Sequence, residues 1–152
     1  MPEDAAPLAM VGVAAWRRGI GRYVSPEAHA RVTAALFEEF LREAVAEILV
    51  AEVDGAPVGF VATEGGEDFV SDLWVSPANE GQGVGSALLE AVEDVVRNRG
   101  YPSVRLEVMT VNERALALYR RRGFEVTWQG VQYDKVLETD LHKTHMRKTL
   151  AV

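Results

Sequence analysis

Leu8, Val11, Ala15 and Trp16 recur at helical spacing and predict a first helix over residues 4–18, ended by Gly19 and Gly21. Ser25-Pro26 reads as a second helix start, with serine as the cap and proline at the first helical position. The stripe of Val32, Leu36, Phe40, Ala44 and Val45 carries that helix to about Ala46. The period then changes. Ile48 to Val53 and Val58 to Thr63 predict strands joined at Asp54-Gly55, a strong hairpin signal. Glu64-Gly65-Gly66 turns the chain into a third strand, Phe69 to Val75, which completes an antiparallel meander. Helical spacing returns in Val84, Leu88, Ala91, Val92 and Val95, a helix that Gly100 ends. Alternation of Val104, Leu106 and Val108 gives a strand over Ser103 to Met109. A short helix from Asn112 to Arg121 follows, then strands near 124–134 and 141–150.

Between the third strand and the helix at Val84 lies Pro77-Ala78-Asn79-Glu80-Gly81-Gln82-Gly83-Val84-Gly85-Ser86. Three alternating glycines there leave backbone N–H groups uncovered where a helix begins, and the helix dipole attracts an anion to that place. The segment has no Gly-Lys-Ser/Thr ending, so it lacks the lysine and hydroxyl of a mononucleotide P-loop. Dinucleotide spacing fails as well, because Leu88 stands where a third glycine is required, and an antiparallel meander does not precede such a unit. On this segment alone the remaining readings are a pyrophosphate cradle and a tight strand-to-helix connection.

Composition narrows the function classes. At 152 residues the chain fits one domain, 1–152, with 48% hydrophobic and 26% charged residues. There is no cysteine, which removes disulfides, thiolate metal sites and a cysteine nucleophile. The three histidines are too scattered for a metal centre. Net charge is −7, which argues against nucleic acid as a partner. Absence of a membrane-length apolar run or a leader pattern makes cytoplasmic the expected location. The charge is also unevenly placed. Residues 1–80 hold five Lys/Arg against fourteen Asp/Glu, whereas residues 81–152 hold eleven against nine, a distribution suited to a cationic substrate meeting an anionic cofactor.

A second segment decides among the readings of the glycine loop. Asn112, Ala115, Tyr119, Gly123 and Phe124 match the pattern Asn-x-x-Ala-x-x-x-Tyr-x-x-x-Gly-Phe. Leu73-Trp74-Val75-Ser76-Pro77 with Glu80 to Gly85 matches a strand ending Leu-x-Val-x-Pro before Arg/Gln-x-x-Gly-x-Gly. Together the segments resemble the GNAT superfamily of acyl-CoA-dependent N-acetyltransferases. Its subgroup acting on protein N-terminal amines, the ribosomal-protein-alanine type, is similar more loosely. The resemblance spans about residues 4–150. It implies an α+β fold whose mixed, mostly antiparallel sheet of six or seven strands is flanked by about four helices. Two departures stand out. Members usually have a first strand before the segment that opens this sequence, so either that strand is absent or the start is truncated, and six strands rather than seven are expected. Glu80 stands where Arg or Gln is usual, and is expected to face solvent while backbone N–H groups of 81–86 hold the pyrophosphate.

The resemblance also implies roles. Acetyl-CoA would donate to a primary amine by direct transfer in a ternary complex, with no metal. Tyr119 is the expected general acid, and Asn112 a contact to the cofactor arm or simply a helix cap. Glu107 and Asp72 compete for the role of base. Leu73, Trp74 and Val75 would line the thioester, with an oxyanion donor from a backbone N–H near Trp74 or Val75. Gly81, Gln82, Gly83, Val84, Gly85 and Ser86 would hold the pyrophosphate. Trp16, Tyr23, Trp74 and Tyr133 would wall the amine site through cation–π attraction. A homodimer is compatible with the family. An acyl-CoA sensor or interaction module with lost catalysis is the alternative, favoured by Glu80 and the missing strand.

Overall fold

The computed structural model describes residues 5–43, 48–64 and 67–151. Six strands form one sheet in the order β1-β2-β3-β4-β6-β5, with helices on both faces. Strands β1 (Ile48–Val53), β2 (Ala56–Thr63) and β3 (Phe69–Val75) make the meander. Its first turn places Asp54 and Gly55 at φ 52° and 81°, the left-handed pair that a two-residue hairpin demands. Helix α4 (Val84–Asn98) then crosses to β4 (Ser103–Met109). Helix α5 (Glu113–Arg121) leads to β5 (Glu125–Asp134) and the closing strand β6 (Thr139–Thr149), which inserts between β4 and β5.

Helix α1 (Ala5–Gly19) matches its predicted span closely, and a single 3-10 turn follows at Gly21–Tyr23. The long helix expected after Ser25 is instead two, α2 (Pro26–Arg31) and α3 (Ala34–Glu43). The break has a local cause. Val32 turns extended at φ −96°, ψ 102°, and the Thr33 hydroxyl accepts from the Leu36 N–H as a fresh cap. Restarting the helix resets its phase. Phe37 and Leu41 become the buried positions, and the predicted stripe residues Leu36 and Phe40 turn to a cavity. Among the described residues five helices therefore flank the sheet rather than four; Ala44, Val45 and Ala46 lie outside them, as do Asp4, Gly65 and Gly66.

Alternation along β2 divides the core. Phe60 packs with Leu8, Trp16, Phe37 and Leu41 from α1 and α3, while Val61 packs with Leu89, Val92 and Val96 from α4 and with Leu116 from α5. Among the described residues no helix is long and apolar enough to cross a membrane.

One feature of the sheet places everything that follows. Strands β3 and β4 are parallel neighbours but pair only at Phe69–Arg105 and Val70–Leu106. Beyond those rungs they part. The C-terminal halves of both strands, Ser71–Val75 and Glu107–Met109, therefore face a gap in the middle of the sheet.

Candidate active site

The loop at the mouth of the gap takes its shape from glycine. Gly81 and Gly83 hold φ of 77° and 83°, and each has open space where a Cβ would stand. Gly83 is the cap residue of α4 and supplies no side-chain acceptor, so the helix begins without a side-chain cap on its first-turn N–H groups. Gly85 is small for another reason: a Cβ there would meet the Leu118 Cδ2 at 3.0 Å. A dipolar helix start with uncovered amides and room in front of it fits a pyrophosphate.

Two cavities meet at the gap. One, of about 570 Å³, is lined by Gly81, Gly83, Val84, Gly85 and Ser86 of the loop and by Val75, Arg18, Arg22, Glu80 and Arg114. The other, of about 740 Å³, runs under α3 and the β5–β6 turn. Leu73, Trp74, Asn112, Ala115 and Tyr119 line both and form the wall between them. Their charges are opposite. The larger cavity carries Glu39, Glu43, Glu64, Asp72, Glu107 and Asp134 against Lys143, whereas the smaller carries Arg18, Arg22, Arg114 and Arg121 against Glu80 and Glu113.

Tyr119 is 7% exposed on α5, its ring edge against Phe124 at 5.8 Å. Burial, reinforced by the Asp72 charge, holds its phenol pKa well above the ordinary range, so the hydroxyl keeps its proton. Asn112 caps α5 by accepting from the Ala115 N–H at 3.3 Å. Asp72 and Trp74 share a face of β3, and the indole Nε1 donates to Asp72 Oδ1 at 3.0 Å. Burial pushes the Asp72 carboxyl up to about 6; hydrogen bonds from Trp74 and Ser71 oppose the rise and Glu64 adds to it.

Strand register locates the free backbone donors. Ser76 N–H donates to Val58 O on the β2 side, so alternation turns the N–H groups of Leu73 and Val75 toward the β4 side, where pairing has ceased.

Glu107 sits differently from its rival. Its Oε1 lies 3.2 Å from Lys143 Nζ and its Oε2 3.3 Å from His145 Nε2. Lys143 in turn reaches Asp134 at 3.0 Å, and His145 meets the Gln132 amide oxygen at 2.7 Å. Burial works against the Lys143 charge, but hydrogen bonds and charge from Asp134 and Glu107 outweigh it and hold its pKa above the usual lysine value. Both Glu107 oxygens are thus engaged by Lys143 and His145, whereas Asp72 receives only neutral donors, the Trp74 indole and Ser71. Lys143, His145 and Asp134 were not foreseen as part of this region. Alternation along β6 put Lys143 and His145 on one face, but only the pairing with β4 brings them to Glu107.

Several expected wall residues lie elsewhere. Trp16 does line the larger cavity, 5% exposed and edge-on to His29 at 5.5 Å. Tyr23 borders the smaller cavity instead, under the Arg22 guanidinium at 5.0 Å, because the 3-10 turn carries it past α1 toward the loop. Tyr133 is 56% exposed; strand alternation gives the cavity wall to its neighbour Asp134. The Gln82 amide accepts from Asn79 at 3.4 Å and does not line the cleft. Glu80 does not face solvent. Its side chain is 18% exposed, with Oε2 3.1 Å from Arg114 and 3.8 Å from Arg18.

The model of the acetyltransferase (GNAT) family matches residues 10–124, which contain the glycine loop, the gap and the Asn112–Phe124 helix. The chain belongs to that family. Curated relatives agree over part of the sequence. A mycothiol acetyltransferase from Clavibacter sepedonicus is 41% identical over 88 residues, 57% of this chain and 29% of that protein. An IAA acetyltransferase from Azospirillum brasilense is 39% identical over 80 residues, 50% of this chain and 52% of that protein. The chain thus spans between about a third and a half of the length of these relatives. Among solved structures, a GCN5-related N-acetyltransferase from Rhodopseudomonas palustris superposes with a TM-score of 0.83 at 26% identity, covering 99% of this chain and 92% of that one. The PaiA N-acetyltransferase of Thermoplasma acidophilum, solved with coenzyme A, has the same fold, at a TM-score of 0.76, 21% identity, and 98% and 94% coverage. The six-stranded GNAT sheet and its flanking helices are the architecture found here.

Proposed function

We propose that this GNAT domain transfers an acetyl group from acetyl-CoA to a primary amine by direct attack in a ternary complex. The observation that carries the reading is the meeting of two oppositely charged cavities at the β3–β4 gap. An anionic cofactor suits the arginine-lined side, with its phosphates against the N–H groups of 83–86. An amine arriving as an ammonium ion suits the carboxylate-lined side. Acetyl-CoA supplies the activated thioester, and this chain's residues do the rest.

Asp72 accepts the proton that the ammonium must lose, since a carboxylate with a pKa near 6 is a better base than an ordinary one. Glu107, tied to Lys143 and His145, instead adds negative potential that draws the cation in. The Val75 N–H, free on the gap side, donates to the carbonyl oxygen as charge develops on it. Tyr119, held protonated, gives its proton to the departing thiolate. Asn112 orders the start of α5 and so fixes the position of Tyr119. Without cysteine there is no thiol to carry the acetyl group between the partners.

The test is thiol release from acetyl-CoA across a panel of monoamines, diamines and amino acids, at low and high salt. Diamines are expected to exceed amino acids, and salt to narrow the gap, because the acceptor wall repels a carboxylate. An acetyl-CoA-dependent rise in melting temperature with no thiol release from any amine would favour the sensor reading. No rise at saturating acetyl-CoA refutes both.

A further inference from the structure

Glu80 occupies an unusual position for a carboxylate: in the glycine loop, beside a helix start suited to an anion. Its single oxygen Oε2 takes Arg114 from the first turn of α5 and Arg18 from the last turn of α1. All three residues line the smaller cavity, and they join a loop and two helices that lie on opposite faces of the sheet. We infer that Arg18 and Arg114 are ligands for a phosphate group of the acyl-CoA, and that Glu80 is an internal competitor holding both until that phosphate displaces it. The inference rests on the acyl-CoA reading of the cleft.

The chemistry favours exchange. The two guanidinium side chains are 53% and 64% exposed, so each pair with Glu80 is weak and readily broken. A phosphate presents more charge and more acceptor oxygens to the two guanidinium groups than the Oε2 through which Glu80 holds them both, and takes both arginines more strongly. When the phosphate enters, Glu80 is left next to like charge and must swing outward. Each binding event therefore costs the two ion pairs and a carboxylate–phosphate repulsion. Glu80 also offsets half the charge of the two arginines in the free protein and occupies them, so that weaker anions compete poorly for the cleft. The departure from the usual Arg or Gln at this position is then a tuning of affinity and selectivity, and does not mark a lost site.

Calorimetric titration of acetyl-CoA into the wild type, Glu80→Gln and Glu80→Gln/Arg18→Ala/Arg114→Ala tests it. Glu80→Gln is expected to bind about five- to tenfold more tightly, the size of two exposed ion pairs removed from competition. The triple variant should lose that gain, and inorganic pyrophosphate should compete with acetyl-CoA better in Glu80→Gln than in the wild type. Unchanged or weaker acetyl-CoA binding by Glu80→Gln, with its melting temperature intact, overturns the proposal and makes Glu80 a positioning group for the arginines. A gain that survives in the triple variant overturns the assignment of the arginines. No binding by the wild type at saturating acetyl-CoA removes the acyl-CoA reading itself, a result distinct from either.

Discussion

Asp72→Asn separates the two properties that burial gives to one carboxyl. Asparagine keeps an oxygen for the Trp74 indole donor and nearly the same volume, but cannot ionise. In the folded protein the Asp72 pKa is about 6, against 3.8 for an ordinary aspartate. The folded state thus holds the proton more tightly than the unfolded chain. Between about pH 4 and 6 the native protein binds more protons, so stability falls as pH rises through that window, and the penalty is complete above it. About two units of difference correspond to roughly 3 kcal/mol. Urea denaturation followed by tryptophan fluorescence from pH 4 to 8 should therefore find Asp72→Asn more stable than the wild type above about pH 6, by at most about 3 kcal/mol. The two curves should converge toward pH 4. Activity should move the other way. The wild-type rate of thiol release at saturating amine should rise through a pKa near 6, whereas the variant should lose about 100-fold and the inflection with it. A variant less stable than the wild type at pH 7.5, with no convergence in acid, refutes the burial argument. One that keeps its rate within about twofold refutes the base, because a positioned base contributes on the order of 100-fold.

Three further outcomes follow from the geometry. Tyr119→Phe should lower kcat about 100-fold with little change in KM, measured by steady-state thiol release, because the phenol proton is needed only as the thiolate leaves. Gly83→Ala forces a Cβ onto a residue at φ 83°, costing roughly 1 kcal/mol in a denaturant titration, and should weaken acetyl-CoA binding where the α4 amides are disturbed. Lys148→Met strips the partner from Glu93, which is 5% exposed and pairs with Lys148 Nζ at 2.7 Å. An uncompensated buried carboxylate should cost about 3 kcal/mol at pH 7, read from denaturation curves.

What was legible in the sequence divides by the range of the forces that set it. The strands, α1 and α4 are stated by local periodicity, and Asp54-Gly55 and Gly83 by backbone conformations that few residues adopt. Thr33 escaped notice because a single side-chain cap inside an apolar stripe outweighed the stripe. Leu36 and Phe40, on the stripe of one continuous helix, instead turn to the larger cavity once the phase is reset. Tyr133 failed for the same kind of reason, since period-two alternation needs a register that only pairing with β6 supplies. Glu107 and Asp72 were indistinguishable along the chain. Their difference comes from Lys143 and His145, delivered by β6 from nearly forty residues away.

On the proposed reaction, the opening of the sheet after Val70 has a purpose. A thioester carbonyl can be approached by an amine on one side and held from behind on the other only if both reactants reach one point. A continuous sheet would block that point with paired backbone. Parting β3 from β4 after Val70 removes the block and leaves the Val75 N–H unsatisfied by the ladder, available to a developing oxyanion. It also lets the acidic larger cavity meet the basic smaller one across Trp74 and Tyr119, each lined from both halves of the chain. Asp72 and Glu64 come from the meander, and Arg114 and Arg121 from α5. Glu80 breaks this segregation: an acidic residue on the cationic side, positioned to be displaced. On the proposed reading, opposite cavity signs and a Glu80 held by two arginines both serve an anionic donor and a cationic acceptor that meet at the gap, a role that solubility alone would not require.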